Sequence, residues 1–326
     1  MRVPGESFDW MVAGTQSGAL IVINTLDTSR RHCLQSVTDA VTSLFYHSHP
    51  QHSKKKNYLL VGTADGALAV YEDSVVQCEN GQPMKTVQIG NINTPLMCLG
   101  SSGHSLDRTT IWAGCGTRVL SFTADYNVWK TIDTTTNYLY PQQCRWSIEA
   151  NISRLVVEKH VYLSKAGGQV VEVWDKKSLK MSDLINCTQI LMHGSNRRPR
   201  KLSTEMVQEA GPSWASVKAL LVQSNATLWI GTRGGHVILV DLTTRQPLRV
   251  LRHLCQSVRS MAAAHVEMLN PKNVVLLLGR RGRPHQDQVN TQCGDDSVLL
   301  VWNRDLLKHC EMRSEIADKM RALLYD

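Results

Sequence analysis

A chain of 326 residues with 36 Lys+Arg against 28 Asp+Glu carries a formal net charge of +8 and is 42 % hydrophobic, enough apolar material for a packed core. No apolar run approaches the roughly 18–20 residues needed to cross a bilayer, and Met1–Ser7 lacks the apolar region of a signal peptide. The nine cysteines are dispersed, odd in number and without a C-x-x-C pair, which argues against a disulfide framework and against zinc. A cytoplasmic protein is expected, peripheral on membranes or cytoskeleton only through partners.

In chain order, the first unit begins at Asp9-Trp10 in what later units show to be a second strand. Its third strand is Ala19–Ile23 and its fourth lies near His32–Val37, with no first strand ahead of them. The second unit reads as four strands, Val41–Tyr46, Asn57–Thr63, Ala67–Glu72 and Lys85–Ile89, closed by Pro95. The third is Leu96–Gly100, Thr110–Gly114, Arg118–Thr123 and Val128–Asp133. The fourth is Ile152–Glu158, Val161–Ser164, Val170–Asp175 and Ser178–Ile185, followed by a polar, basic insertion over Asn186–Pro212. The fifth is Val217–Gln223, Thr227–Thr232, His236–Val240 and Pro247–Leu251. The sixth is Val258–Ala263, Asn273–Gly279 and Ser297–Asn303. Leu306–Leu324 then changes to helical spacing, with apolar residues at three- and four-residue steps.

The units repeat one phrase: an apolar strand, a glycine turn, a second apolar strand. Gly14, Gly62, Gly114, Ser164, Gly231 and Gly279 mark it at steps of 48, 52, 50, 67 and 48 residues. A period near fifty, four short strands per unit, is the signature of a β-propeller, so an all-β, WD-repeat type of fold with six recognisable blades is expected. The propeller spans 1–305, with incomplete first and last blades, and an amphipathic helix spans 306–326.

The Gly-Thr-x-x-Gly turns lack the lysine and helix of a phosphate-binding loop, so turn chemistry is the better reading. Trp174-Asp175 closes a third strand; the indole is expected to pack between blades and the carboxylate to cap the turn. Trp112, Trp229 and Trp302 are expected in the core. His47, His49 and His52 fall in the polar stretch Tyr46–Asn57, which reads as a solvated loop rather than a metal site. No catalytic constellation, cofactor site or metal site emerges. The basic runs are the candidates for partner binding: Lys54, Lys55 and Lys56 in a loop on one face, and Arg197, Arg198, Arg200 and Lys201 with Arg280, Arg281 and Arg283 on the other.

The segments G-T-Q-S-G at 14–18, L-L-V-G-T-A-D-G at 59–66, T-P-L-M-C-L at 94–99, V-V-E-V-W-D-K-K at 170–177 and L-W-I-G-T at 228–232 carry a resemblance. Together with the terminal E-M-R-S-E-I-A-D-K-M-R, they resemble the C-terminal WD-repeat domain of the leucine-rich repeat kinases, multidomain Ras-of-complex proteins. That family has seven blades, so the resemblance implies a piece of a longer protein serine/threonine kinase. It implies a non-catalytic scaffold for self-association and docking to cytoskeletal or vesicle proteins. ATP, magnesium and GTP would belong only to upstream domains. The terminal helix would contact the kinase domain through Ile316, Met320 and Leu323. Two other classes stay open: a propeller enzyme with a site in its channel, and a binder of anionic surfaces or nucleic acid through basic loops, of which nucleic acid is the less favoured partner.

Overall fold

The computed structural model describes residues 1–5, 9–49, 56–101, 111–123, 125–136, 151–193, 213–223, 226–251, 257–265, 273–280 and 297–303. The strands of the repeat are apolar on both faces. Leu59, Leu60, Val61, Leu68, Val70 and Tyr71 are all fully buried, although neighbours in sequence point to opposite sides of their sheet. A sheet of this kind needs cover on both faces, and here neighbouring sheets supply it.

The cover comes from repetition. The first sheet is β1 (Arg2–Val3), β2 (Trp10–Gly14), β3 (Leu20–Asn24) and β4 (Arg31–Leu34); the second is β5 (Val41–His49), β6 (Lys56–Thr63), β7 (Ala67–Glu72) and β8 (Lys85–Gln88). A four-residue helix, α1 (Asp73–Val76), lies between β7 and β8. The third sheet is β9 (Leu96–Ser101), β10 (Ile111–Cys115), β11 (Arg118–Phe122) and β12 (Val128–Asp133). The fourth is β13 (Ile152–Val157), β14 (His160–Lys165), β15 (Val170–Asp175) and β16 (Met181–Asn186), and α2 (Cys187–His193) follows it. The fifth is β17 (Val217–Gln223), β18 (Thr227–Thr232), β19 (Val237–Asp241) and β20 (Pro247–Leu251). The sixth, three-stranded among the described residues, is β21 (Ser257–His265), β22 (Asn273–Arg280) and β23 (Ser297–Asn303). Every sheet is antiparallel in sequence order, a meander with no crossover.

Packing divides the chain into two units, one holding the first four sheets and the other the last two. In the first unit, Val12, Leu20 and Val22 of the first sheet meet Leu59, Val61 and Tyr71 of the second. The far side of the second sheet, Tyr58, Leu60, Leu68 and Val70, meets Ile111, Ala113, Leu120 and Phe122 of the third. Trp112, Val119 and Ile132 of the third meet Val161, Leu163 and Trp174 of the fourth. In the second unit, Trp229, Val237 and Leu239 of the fifth sheet pack on Val275 and Leu277 of the sixth. Trp112 and Trp229 are each 2 % exposed, as the sequence implied; burying such a side chain contributes about 1.5–3 kcal/mol. The Trp302 side chain lies outside the described residues.

The marker glycines occupy one place in each sheet. Gly14, Gly62, Gly114, Gly231 and Gly279 all sit near the end of the second strand, opposite Leu20, Leu68, Val119, Val237 and Val298. A Cβ on Gly62 would lie 2.9 Å from the Leu96 carbonyl oxygen of the next sheet, and one on Gly114 would lie 2.8 Å from Ile152 Cγ2 of the next. The glycine thus marks where successive sheets approach most closely.

Three expectations are corrected. The first unit does have a first strand: β1 pairs Arg2 with Met11 and Val3 with Trp10, and Val3 is fully buried. Two residues are too short to show any alternation in the sequence. His47 and His49 are not in a loop, because the β5–β6 pairing runs on to His49 opposite Lys56, and His47 is 4 % exposed. By the same pairing Lys56 starts a strand rather than lying in a loop. The helix expected over 306–326 lies outside the described residues.

Candidate interaction surfaces

Two kinds of turn end the strands. At one end of the first, second and fifth sheets the second and third strands are joined by a Gly-Thr turn. Thr15 Oγ1 lies 2.9 Å from Ala19 N and 3.1 Å from Ala19 O, accepting from the first. Thr63 repeats this with Ala67 and Thr232 with His236. Each of these turns contains a glycine at positive φ, Gly18 (81°), Gly66 (78°) and Gly235 (75°).

At the other end, the third and fourth strands of the first, fourth and fifth sheets are joined by Asx turns. Asp175 Oδ1 accepts from Lys177 N at 3.0 Å and Ser178 N at 2.6 Å. Asp241 Oδ1 accepts from Thr243 N and Thr244 N at 2.8 and 2.7 Å, and Asn24 Oδ1 accepts from Leu26 N and Asp27 N. These bonds favour the ionised carboxylates, so Asp175 and Asp241 titrate below the ordinary aspartate value. The cap role expected of Asp175 is therefore present. Trp174 is 3 % exposed, packs in the core between the third and fourth sheets, and donates from Nε1 to Glu172 Oε2 at 2.8 Å.

One polar cluster was not visible in the sequence. Lys165 and Glu172 are 4 % and 0 % exposed, with Lys165 Nζ 3.6 Å from Glu172 Oε1. Lys165 Nζ also donates at 3.4 Å to the carbonyl oxygen of Thr134, which follows β12 of the third sheet. Burial pulls the Lys165 ammonium below the usual lysine range, while Glu172 and Asp133 act to raise it. Burial likewise pushes the thiol of Cys98 up to about 12 and that of Cys115 up to about 11, which marks both as inert strand residues. Among the described residues no group of three His, Cys, Asp or Glu side chains is arranged to hold a metal ion.

The basic runs are reached only at their margins. Lys56 lies in β6 and Arg280 ends β22, paired with Ser297; both side chains fall outside the described residues. Lys54, Lys55, Arg197, Arg198, Arg200, Lys201, Arg281 and Arg283 lie outside them altogether, as do Ile316, Met320 and Leu323.

Repeated four-stranded meanders stacked face to face, with a glycine at each close approach, define the class: a β-propeller repeat protein. Residues 1–302 match the family described as LRRK2 beta propeller, and the chain belongs to that family. Among solved structures it is similar to one of BBS1N in complex with ARL6DN, at 11 % identity and a TM-score of 0.56, covering 85 % of this chain and 74 % of the other. It is also similar to a chain of the mitotic checkpoint complex, at 13 % identity and a TM-score of 0.51, covering 85 % and 67 %.

Proposed function

We propose that this chain is a protein–protein interaction scaffold, the C-terminal module of a leucine-rich repeat serine/threonine kinase that also carries a GTPase domain. The observation that carries this reading is the family match over residues 1–302, joined to a fold whose repeated slots are filled by structural residues. A rigid stack of sheets leaves loops and turns to meet partners. The two similar solved structures are both of protein complexes, which supports protein partners. On this reading the partners are the kinase domain of the same polypeptide, a second copy of the chain, and cytoskeletal or vesicle-associated proteins. ATP, magnesium and GTP serve the upstream domains, and this chain takes no cofactor of its own.

The arginine loops and the terminal helix carry the finer reading. Arg197, Arg198, Arg200 and Lys201 with Arg280, Arg281 and Arg283 form an acidic-partner site, and Ile316, Met320 and Leu323 dock on the kinase domain. The test is affinity capture with the 326-residue protein. Neutralising Arg280, Arg281 and Arg283 to Gln is expected to reduce recovery of protein partners, and Ile316→Asp with Met320→Asp to abolish capture of the kinase domain. Equal recovery by all three proteins would overturn both assignments.

A further inference from the structure

An exposed tryptophan on the outer strand of the third sheet stands among lysines from the fourth. Between β11 and β12 the register steps from Ser121 opposite Lys130 to Phe122 opposite Val128. Trp129 is left without an opposite residue, a bulge that aims it away from the core. It is 56 % exposed and its neighbour Val128 is 47 % exposed. The same bulge recurs in the fourth and fifth sheets, where Ser182 and Leu248 are the skipped residues. A serine serves there equally well, so the fold does not require a large aromatic side chain at this position.

The lysines are fixed in place by hydrogen bonds between sheets. Lys130 Nζ lies 4.6 Å from the Trp129 ring centroid and donates to the Lys176 carbonyl oxygen at 3.2 Å. Lys176 Nζ in turn donates to the Glu158 carbonyl oxygen. These two bonds tie β12 to the β15–β16 turn and the β13–β14 turn, which carry exposed Lys177, Lys180 and Lys159. The nearby acids are engaged with backbone: Asp175 Oδ1 accepts from Lys177 N and Ser178 N, and Glu158 accepts from Lys159 N. Five lysines, on β12 and on the two turns tied to it, therefore share this corner with a protruding apolar pair.

We propose that this corner, Trp129 with Lys130, Lys159, Lys176, Lys177 and Lys180, docks on an anionic phospholipid surface. The side-chain types favour a bilayer over an acidic protein segment. All five cations are lysines, point charges suited to a diffuse layer of phosphates, and none is the planar fork that pairs with carboxylates in protein interfaces. Tryptophan settles at headgroup depth, and lysine stems lie along apolar surface with their charges in water. This surface is separate from the arginine loops proposed above and does not depend on them.

The test is sedimentation of the 326-residue protein with vesicles of phosphatidylcholine, with and without phosphatidylserine. Binding only to the phosphatidylserine vesicles is expected, lost in 1 M salt where the screening length is about 3 Å. Lys159→Glu with Lys177→Glu should weaken it at least twentyfold, since each lysine is worth about fivefold. Trp129→Ala should weaken it about tenfold with all charges kept. Arg2→Glu with Arg31→Glu, the same charge change on the first sheet, should leave binding within twofold, and circular dichroism checks that every variant is folded. Equal loss from both double reversals would reduce the effect to net charge and overturn the site. So would capture by a polyglutamate peptide with no binding to vesicles, which would make the occupant an acidic protein segment.

Discussion

The turn after the second strand is built differently in the fourth sheet from the first, second and fifth. In the first, second and fifth sheets a threonine follows the marker glycine, and its hydroxyl closes the turn locally on Ala19, Ala67 or His236. In the fourth sheet the pair is Ser164-Lys165, and the lysine reaches instead to Thr134, just past the last strand of the third sheet, and to Glu172. Glu172, opposite Leu163, holds the slot that Ile21, Ala69, Leu120 and Ile238 fill elsewhere. One backbone frame thus accepts either a local hydroxyl beside an apolar residue or a buried ion pair within the sheet whose lysine also bonds the segment after β12. The difference teaches that the repeat fixes the backbone and the close approaches, while the same slot can be used for turn closure or for cross-linking.

The largest effect should come from breaking the ion pair on one side only. Glu172→Leu leaves the Lys165 ammonium buried and takes the acceptor from Trp174 Nε1. A loss of about 3–5 kcal/mol is expected, read by chemical denaturation. Adding Lys165→Thr restores the arrangement of the other sheets, with a hydroxyl in the turn and an aliphatic residue in the slot. The double variant should recover most of that loss, because replacing a buried ion pair as a whole is often neutral, leaving about 1–3 kcal/mol for the Trp174 Nε1–H that still lacks its acceptor. A double variant as unstable as Glu172→Leu alone would show that the pair is required by the fold and is not an interchangeable filling.

The Gly-Thr turns were readable because a Cβ cannot be placed at Gly62 or Gly231 without a clash, so the residue type is dictated where sheets meet closely. Their period then revealed the sheets, and strands such as Val170–Asp175 and Val217–Gln223 were placed to the residue. The first strand was not readable, since two residues carry no alternation. The run of β5 through His47 was missed because polar side chains in a long hairpin look like a loop. The Lys165–Glu172 pair had no sequence signal, since its partners lie on different strands and replace an apolar pattern at single positions. The Trp129 bulge is a one-residue change of register, which pattern alone does not show. As to the partner site, the arginines chosen from the sequence lie where the structure describes no side chain, so that assignment rests on charge alone.

Within the threonine turns a smaller effect is expected. Thr232→Val keeps shape and removes the hydroxyl that accepts from His236 N, so about 1 kcal/mol should be lost. Lys165→Thr offers the contrasting measurement. Alone it leaves Glu172 buried without its cation and should cost clearly more than Thr232→Val, although it installs the residue that the other sheets favour. Equal costs would mean that the ion pair contributes no more than one hydroxyl.

The opposite ends of the sheets supply the smallest and most specific test. Asn24 caps its turn with a neutral amide, whereas Asp175 and Asp241 do the same with carboxylates held below the ordinary aspartate value by the backbone N–H groups they accept from. A carboxyl whose pKa is lower in the folded state binds fewer protons there than in the unfolded chain. Its contribution is therefore complete above the unfolded value and disappears as pH falls through the folded one. Thermal stability should accordingly drop below pH about 4, partly through these two turns. Asp175→Asn with Asp241→Asn makes both turns like that of Asn24, which has no titrating group. The variant should be slightly less stable than the original protein at neutral pH and should lose less on acidification, so that the two melting temperatures converge once both carboxyls are protonated in the folded protein. Parallel acid profiles would show that the carboxylates cap these turns no better than an amide does, and that the acid sensitivity of the molecule lies elsewhere.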